Sequence, residues 1–327
     1  MSKPEPIDGA AIDARFSPFN IINVNYKHVK SVGIPLSILL PKTLKPGKHP
    51  ITVRWHGGGF GTGHRLFPEW YAEWTLQLSL DHEAIAISPD YRLLPEASGL
   101  DILSDAEDFY TWLFDPQGLA SLLPEDIVLD LENVLVTGES AGGWHALQAA
   151  LLHPSKIRAI IAHYPMIDLA APHFSSQHEK DIFSPPRPQA DSSILTSYVE
   201  NLTGEEVVPN RTPPEGEMNV LIILQQGLYP KYFGPDPRLY PLEQLEKAET
   251  FPPTWILHGT GDSVVPVEGT RVFEEAFRER GEREGWGPLK VTYREGAEHG
   301  FDLREGDEDG WRREGVQFIE KYWPAKR

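Results

Sequence analysis

The sequence predicts an α/β protein: a mostly parallel central sheet covered by helices on both faces. Two observations carry the prediction. Apolar runs with strand character alternate along the chain with helix-like runs, the order that builds parallel sheets through helical crossovers. Strand-like runs also end in glycine, as in "ITVRWHGGG" and "NVLVTGES", where such a chain turns out of its sheet. In this architecture functional groups gather at the carboxyl ends of the strands.

The elements follow in order. "NIINVNYKHV" and "GIPLSILLP" alternate well enough for an early antiparallel hairpin joined near Ser31–Gly33. "ITVRWHGGG" is a strand ending in glycines, and "EAIAISPDY" is a buried strand closed by Pro89. "DILSDAEDFYTWLFD" places apolar residues at 102, 103, 106, 109, 110 and 113, the spacing of a helix with one buried face. "NVLVTGES" is a strand, and a helix follows from Ala141 to His153. Further strands are expected in "IRAIIAHYPMID", "PTWILHGTGD" and "LKVTYREGAEHG". Helices are expected in "GTRVFEEAFRERG" and "GWRREGVQFIEKYW".

One stretch breaks the alternation. Connections in α/β units usually run about 2–6 residues plus the helix, but residues 167–250 separate two predicted strands. The stretch is rich in proline ("SPPRP", "TPPEG") yet carries helical patches at "SSILTSYVENLTG" and "NVLIILQQG". Its Leu, Ile, Tyr and Phe content argues against a disordered linker. We expect a catalytic core at 21–166 and 251–327, and a mainly helical cap or lid at 167–250 completed by residues 1–20.

Composition excludes several classes. There is no cysteine, so disulfides, thiol catalysis and zinc–thiolate sites are ruled out. A net charge of −18 argues against nucleic acid or an anionic membrane as partner. No apolar run reaches the roughly 18 residues of a membrane span. "MSKPEPIDGA" lacks the apolar core of a secretory signal. The expectation is a cytoplasmic enzyme, with the sequons at Asn201 and Asn210 as chance matches.

The chemistry centres on "GESAGG". Gly138-Glu139-Ser140-Ala141-Gly142 matches G-x-S-x-G between a predicted strand and a predicted helix, the context of a nucleophile elbow. The competing reading is a serine N-cap, common at such junctions. Upstream, "WHGGGF" sets three consecutive glycines at a strand end. That is costly in backbone entropy unless N–H groups must be aimed at a developing oxyanion. The two motifs complement each other: an elbow supplies one N–H and such a loop supplies the rest. A serine nucleophile needs a base, and the base needs an orienting carboxylate. His299 in "GAEHGFDL" and Asp262 in "HGTGDSVVP" lie in loops after the last two strands, in the chain order Ser…Asp…His. His163 is a weaker rival base. Glu298 and Asp302 are too close in sequence to His299 to sit behind its ring.

"HGGGF", "SPDYRLLPE", "GESAGG", "HGTGD" and "EHGF" occur in the order found in the hormone-sensitive-lipase-like carboxylesterases, an α/β-hydrolase family, which this chain resembles over roughly residues 50–165 and 250–327. The resemblance implies the α/β-hydrolase fold with a helical cap. It implies Ser140 as nucleophile, Asp262 as acid and His299 as base. Gly58, Gly59 and Ala141 would supply the oxyanion N–H groups. It also implies that Asp90-Tyr91-Arg92 is structural, a buried ion pair and ring buttressing the sheet near the site. No metal or cofactor is implied. By family analogy a homodimer would form through the edge strand leading to His299.

Departures from the family pattern fall near the pocket. Glu139 stands where Asp is usual, and Trp144 where Asn is common. Trp144 is read either as core packing beneath the helix or as a wall that reshapes the pocket. Phe60, His64, Tyr229, Tyr232 and Phe233 complete the candidate substrate contacts. The expected reaction is hydrolysis of a small or medium, apolar-to-aromatic ester through an acyl-enzyme. The alternatives are cleavage of a thioester or lactone, release or cyclisation of an acyl chain in a biosynthetic pathway, and non-catalytic ligand binding.

Overall fold

The computed structural model describes residues 13–183, 185–303, 306 and 310–324. Eight strands form one sheet: β1 (Phe19–Val29), β2 (Val32–Pro41), β3 (Gly47–Trp55), β4 (Ile85–Pro89), β5 (Ile127–Glu139), β6 (Ala159–His163), β7 (Thr254–Gly259) and β8 (Leu289–Arg294). Their order is β1-β2-β4-β3-β5-β6-β7-β8. β1 and β2 form the expected antiparallel hairpin, and β2 also runs antiparallel to β4. Every pairing from β4 to β8 is parallel.

Side chains in the central strands alternate between two apolar layers, as the two-residue period of a strand requires. Val134, Val136, Ile160 and Ile256 face one layer; Leu135, Ala159, Ile161, Trp255 and Leu257 face the other. Helices Gly99–Phe114, Ala141–Leu152 and Glu268–Glu284 contribute to the first layer. Helices Glu73–Asp81 and Trp311–Ile319 contribute to the second. Sheet strands buried on both faces read as near-continuous apolar runs, which is why they were visible in the sequence.

Parallel register brings the carboxyl ends together. Trp55 pairs with Gly138, Glu139 with His163, His163 with Leu257, and Gly259 with Arg294. The segments that follow therefore leave the sheet at one end: the glycine run at 56–60, Ser140, Tyr164, the loop carrying Asp262 and the loop carrying His299.

The long insertion between β6 and β7 is helical. It contains Pro172–Ser175, Ser192–Glu200, Glu217–Gln225, Tyr229–Phe233 and Pro241–Leu245. The two patches predicted from sequence are the two longest of these. The three short ones each begin at or beside proline, whose fixed φ suits a first helical turn but gives no periodic signal. Of the N-terminal segment, residues 1–12 lie outside the described residues, and Phe16 packs with Phe19, Leu39 and Tyr71. β5 begins earlier than its apolar run suggests, because Ile127–Leu129 pairs with Gly47–His49 before a register shift.

Candidate active site

Ser140 is the turn between β5 and the helix Ala141–Leu152. Its backbone sits at φ 59°, ψ −115°, outside the regions an L-residue ordinarily occupies. Two bonds over-determine that conformation: its N–H donates to the His163 carbonyl at 2.9 Å, and its carbonyl accepts from Met166 N–H at 3.1 Å. Its side chain makes no capping hydrogen bond to the helix. Ser140 thus occupies the N-cap position without the side-chain bond that the N-cap reading requires. Tight glycine packing allows the turn. A Cβ on Gly142 would lie 2.0 Å from the Trp55 carbonyl oxygen.

The glycine run lies against this turn. A Cβ on Gly57 would come within 2.8 Å of the Glu139 carbonyl oxygen and 3.3 Å of the Ser140 Cβ. Gly58 and Gly59 adopt φ 105° and 59°. The carbonyls of this run are engaged elsewhere. His56 Nδ1–H donates to the Gly57 oxygen at 2.8 Å, and Gly61 and Thr62 N–H groups donate to the Gly58 oxygen at 3.0 and 3.1 Å. In a trans peptide the N–H points opposite its carbonyl. The N–H groups of Gly58 and Gly59 therefore point away from those partners. His56 holds its peptide as a neutral ring: burial pushes its pKa down to about 3. The ring stacks on Tyr91 at 4.5 Å, and the Tyr91 hydroxyl donates to the His56 carbonyl at 3.0 Å.

Asp262 and His299 meet from two different loops. His299 Nδ1 donates to Asp262 Oδ2 at 2.7 Å. Asp262 Oδ1 accepts from the N–H groups of Val264 and Val265 at 3.0 and 2.8 Å. Burial alone would raise the Asp262 pKa. The charges and hydrogen bonds of His299 and His258 more than offset it and hold the carboxyl well below the usual range. Asp262 thus stays ionised behind the imidazole.

The rival residues have other partners. His163 Nδ1 donates to Asp302 Oδ2 at 2.7 Å, and His163 Nε2 is bonded to Thr137 Oγ1 at 3.0 Å, all buried beneath the turn. Asp302 also accepts from the Tyr164 hydroxyl at 2.8 Å and the Trp74 indole at 3.2 Å. Tyr164, at φ 36°, lays its ring 4.5 Å from that of His299. Sequence reasoning missed Tyr164, since an aromatic residue after a strand looks like ordinary core.

The Asp90-Tyr91-Arg92 segment does form ion pairs, but each charge has its own partner, and the Asp90 pair is buried while Arg92 and Asp101 are half-buried. Asp90 Oδ2 is 2.5 Å from Arg65 Nη1, and Arg92 pairs with Asp101 and Asp105. Glu139 pairs with Arg54 at 3.0 Å, both buried. Arg54, a charge inside an apolar strand, signals that a buried partner is needed without saying which residue supplies it.

The candidate pocket residues divide. Trp144 is fully buried, with Phe60 at 5.5 Å and Phe233 at 5.4 Å edge-to-face on its rings. Phe60 and Phe233 contact each other at 4.7 Å. The Tyr229 hydroxyl donates to the Gly59 carbonyl at 3.2 Å. Tyr232 is half-buried under the Lys231 ammonium. His64 accepts from Leu66 N–H at 3.2 Å and stands edge-to-face with Phe67 at 5.7 Å. The insertion is thus built onto the glycine run. Arg211 and Gly63 form an isolated bridge, and Thr62 Oγ1 donates to the Glu215 carbonyl at 2.6 Å.

A family model described as the alpha/beta hydrolase fold matches residues 52–302, well over half of the chain. The chain belongs to the α/β-hydrolase family. It is 33% identical over 322 residues to probable carboxylesterase M8 of Phoma sp., covering 95% of this chain and 98% of that protein. It is 26% identical to the non-reducing polyketide synthase Preu6 of Preussia isomera, covering 95% of this chain but only 15% of the synthase. The solved structure of Thermogutta terrifontis esterase 2 phosphorylated by paraoxon is similar at a TM-score of 0.60 and 18% identity, covering 95% of this chain and 97% of that one. At that identity the structural likeness speaks to the fold. Among the described residues, no helix is long and apolar enough to cross a membrane.

Proposed function

We propose that this ester hydrolase of the α/β-hydrolase family works through a serine acyl-enzyme, with Ser140 as nucleophile, His299 as base and Asp262 as the acid behind it. The observation that carries the reading is the 2.7 Å bond from His299 Nδ1 to an ionised, buried Asp262, at the same end of the sheet as the strained Ser140 turn. Asp262 fixes the tautomer in which Nε2 is free to take the Ser140 proton. The Ser140 oxygen then attacks the acyl carbonyl. The negative oxygen is met by the N–H groups of Gly58, Gly59 and Ala141, the last an orphan donor at the first helical position. His299 protonates the leaving alcohol, and water repeats the cycle on the acyl-enzyme. Residues 167–250 act as a cap, joined to the core by the buried aromatic group of Phe60, Trp144 and Phe233. The favoured substrate is a small or medium apolar-to-aromatic ester.

A second reading keeps the machinery and changes the substrate to a thioester whose acyl chain is released in a biosynthetic pathway. It is supported by the match to a segment of a polyketide synthase along nearly the whole chain. The tetrahedral chemistry is the same. Matched oxygen-ester and thioester series with one acyl group separate the two by their kcat/KM.

The test of the mechanism is Ser140→Ala assayed on p-nitrophenyl acetate, with fluorophosphonate labelling of the wild type. The expected results are loss of turnover and stoichiometric labelling at Ser140. Wild-type turnover in the variant would refute the serine mechanism.

A further inference from the structure

Asp262 and His299 stand on loops that follow different strands, β7 and β8. The second loop is hinged by glycines on either side of the imidazole: Gly296 at φ 66° and Gly300 at φ 74°. Left-handed glycines are the most permissive backbone positions available. Before the imidazole the two loops are joined by Gly261 N–H, which donates to the Ala297 carbonyl at 3.1 Å, and by Gly296 N–H, which donates to Thr260 Oγ1 at 2.8 Å, but the His299–Asp262 bond lies beyond these and must persist while the ring gains and loses a proton.

Glu298 adds a tie at the level of the imidazole itself. Its Oε1 accepts from Ser263 N–H at 2.8 Å and from His299 N–H at 2.7 Å. Its Oε2 accepts from the Ser263 hydroxyl at 2.8 Å. Ser263 directly follows the triad acid, and Glu298 directly precedes the base. One carboxylate therefore bridges the two loops through three donors at short, charge-assisted distances. The Ser263 oxygen in turn accepts from Phe183 N–H at 2.8 Å, from the insertion. Phe183 holds φ 69°, a conformation costly for an aromatic residue, and this bond helps hold it there.

We propose that Glu298 is a positioning residue: it locks the Asp262 loop to the His299 loop and, through Ser263, ties the seating of the insertion at Phe183 to the angle of the imidazole. It touches no reacting atom. The inference rests on His299 being the base, but its geometry can be tested without turnover. Glu298→Gln keeps an oxygen for both N–H groups, and its amide can donate to Ser263, whose second lone pair still serves Phe183. Glu298→Ala removes all three bonds.

The experiment compares wild type, Glu298→Gln, Glu298→Ala and Ser263→Ala by three readouts: the far-downfield proton resonance of the His299–Asp262 bond, thermal unfolding, and kinetics on p-nitrophenyl acetate. Glu298→Ala is expected to lose or broaden the resonance and to lower kcat about ten- to a hundredfold with KM little changed, the scale of a misplaced catalytic group. Glu298→Gln should keep both within about threefold, since it keeps the bonds. Ser263→Ala, which keeps its N–H bond, should fall between them, and it carries the test if Glu298→Ala does not fold. A wild-type resonance and kcat in Glu298→Ala, or a Ser263→Ala protein equal to wild type in both, overturns the proposal. Should the wild type prove unable to hydrolyse esters, the resonance still decides the role of Glu298, and only the reading of the reaction fails.

Discussion

The indole N–H of Trp144 donates to the Leu239 carbonyl at 2.7 Å, so the helix that starts at Ser140 is fastened directly to the insertion above it. Gln148, one turn further along, repeats the link by donating to the Arg238 carbonyl at 2.9 Å. Core packing and pocket shaping were offered as alternatives for Trp144. The structure shows packing with an added polar anchor: the ring lies between Phe60 and Phe233, and its one polar atom reaches the insertion. A buried indole needs such a partner, and here the partner belongs to the insertion.

Trp144→Phe should therefore loosen the insertion without emptying the core. The ring contacts are largely kept, but the Leu239 oxygen is left buried without its donor, a loss of about 1–3 kcal/mol. Denaturant unfolding should show that loss. Limited proteolysis should cut within 167–250 sooner than in wild type, while labelling of Ser140 by a fluorophosphonate persists. Unchanged proteolysis would mean that the indole bond does not hold the insertion.

Tyr229→Phe tests whether the insertion supports the glycine run. The Tyr229 hydroxyl is buried and donates to the Gly59 carbonyl, next to the N–H groups assigned to the oxyanion. Removing the hydroxyl leaves the Gly59–Phe60 peptide freer to rotate, and with it the adjoining peptide that carries the Gly59 N–H. We expect kcat to fall several-fold with little change in KM, because oxyanion contacts strengthen as charge develops; a full donor is worth roughly 2.7–4 kcal/mol, and this variant disturbs one rather than deleting it. Steady-state kinetics on p-nitrophenyl acetate checks it, and a rise in KM alone would count against the assignment.

Asp262→Asn should be far more damaging. An amide can serve the Val264 and Val265 N–H groups only with its oxygen, which turns its NH2 toward His299 Nδ1. The imidazole must then present a lone pair at Nδ1 and carry its proton on Nε2, the wrong tautomer for a base. The same exchange in a serine-protease triad lowers kcat about 10⁴-fold. A decline of similar order is expected here with the fold intact by circular dichroism.

Much of this was legible beforehand for identifiable reasons. The glycine run, Ser140, Asp262 and His299 sit at strand ends, and a short strand flanked by glycine is a local signal. The partnerships that cross the sheet were not legible. Nothing in the spacing of Asp302 says that it serves His163 from the segment after β8, and nothing around Arg54 names Glu139. Such pairings depend on strand order, which alternation alone leaves open. The insertion was recognised by its length and apolar content, but its short proline-led helices carry too few turns to show a period. Its fastening to the glycine run, through Arg211, Thr62 and Tyr229, depends on tertiary contact throughout.

Acid should destabilise this protein well before its carboxylates titrate. His56 is buried and neutral, with its pKa driven down to about 3, and His173 is lowered to about 4, mainly by burial. Burial lowers His145 as well. In the unfolded chain these rings titrate near the ordinary 6.5. Between the folded and unfolded values the unfolded state binds more protons, so stability rises with pH across that window and is lost as pH falls from about 6.5 toward 4. A fully buried ring such as His56 contributes a slope approaching about 1.4 kcal/mol per pH unit. Urea unfolding at pH 7.5, 6, 5 and 4.5 should therefore show a steady fall in stability that begins near 6.5. His56→Asn, which removes one such ring, should flatten the slope by up to one proton. A profile that is flat to pH 5 would show that these rings are reached by water or protonated in the native state.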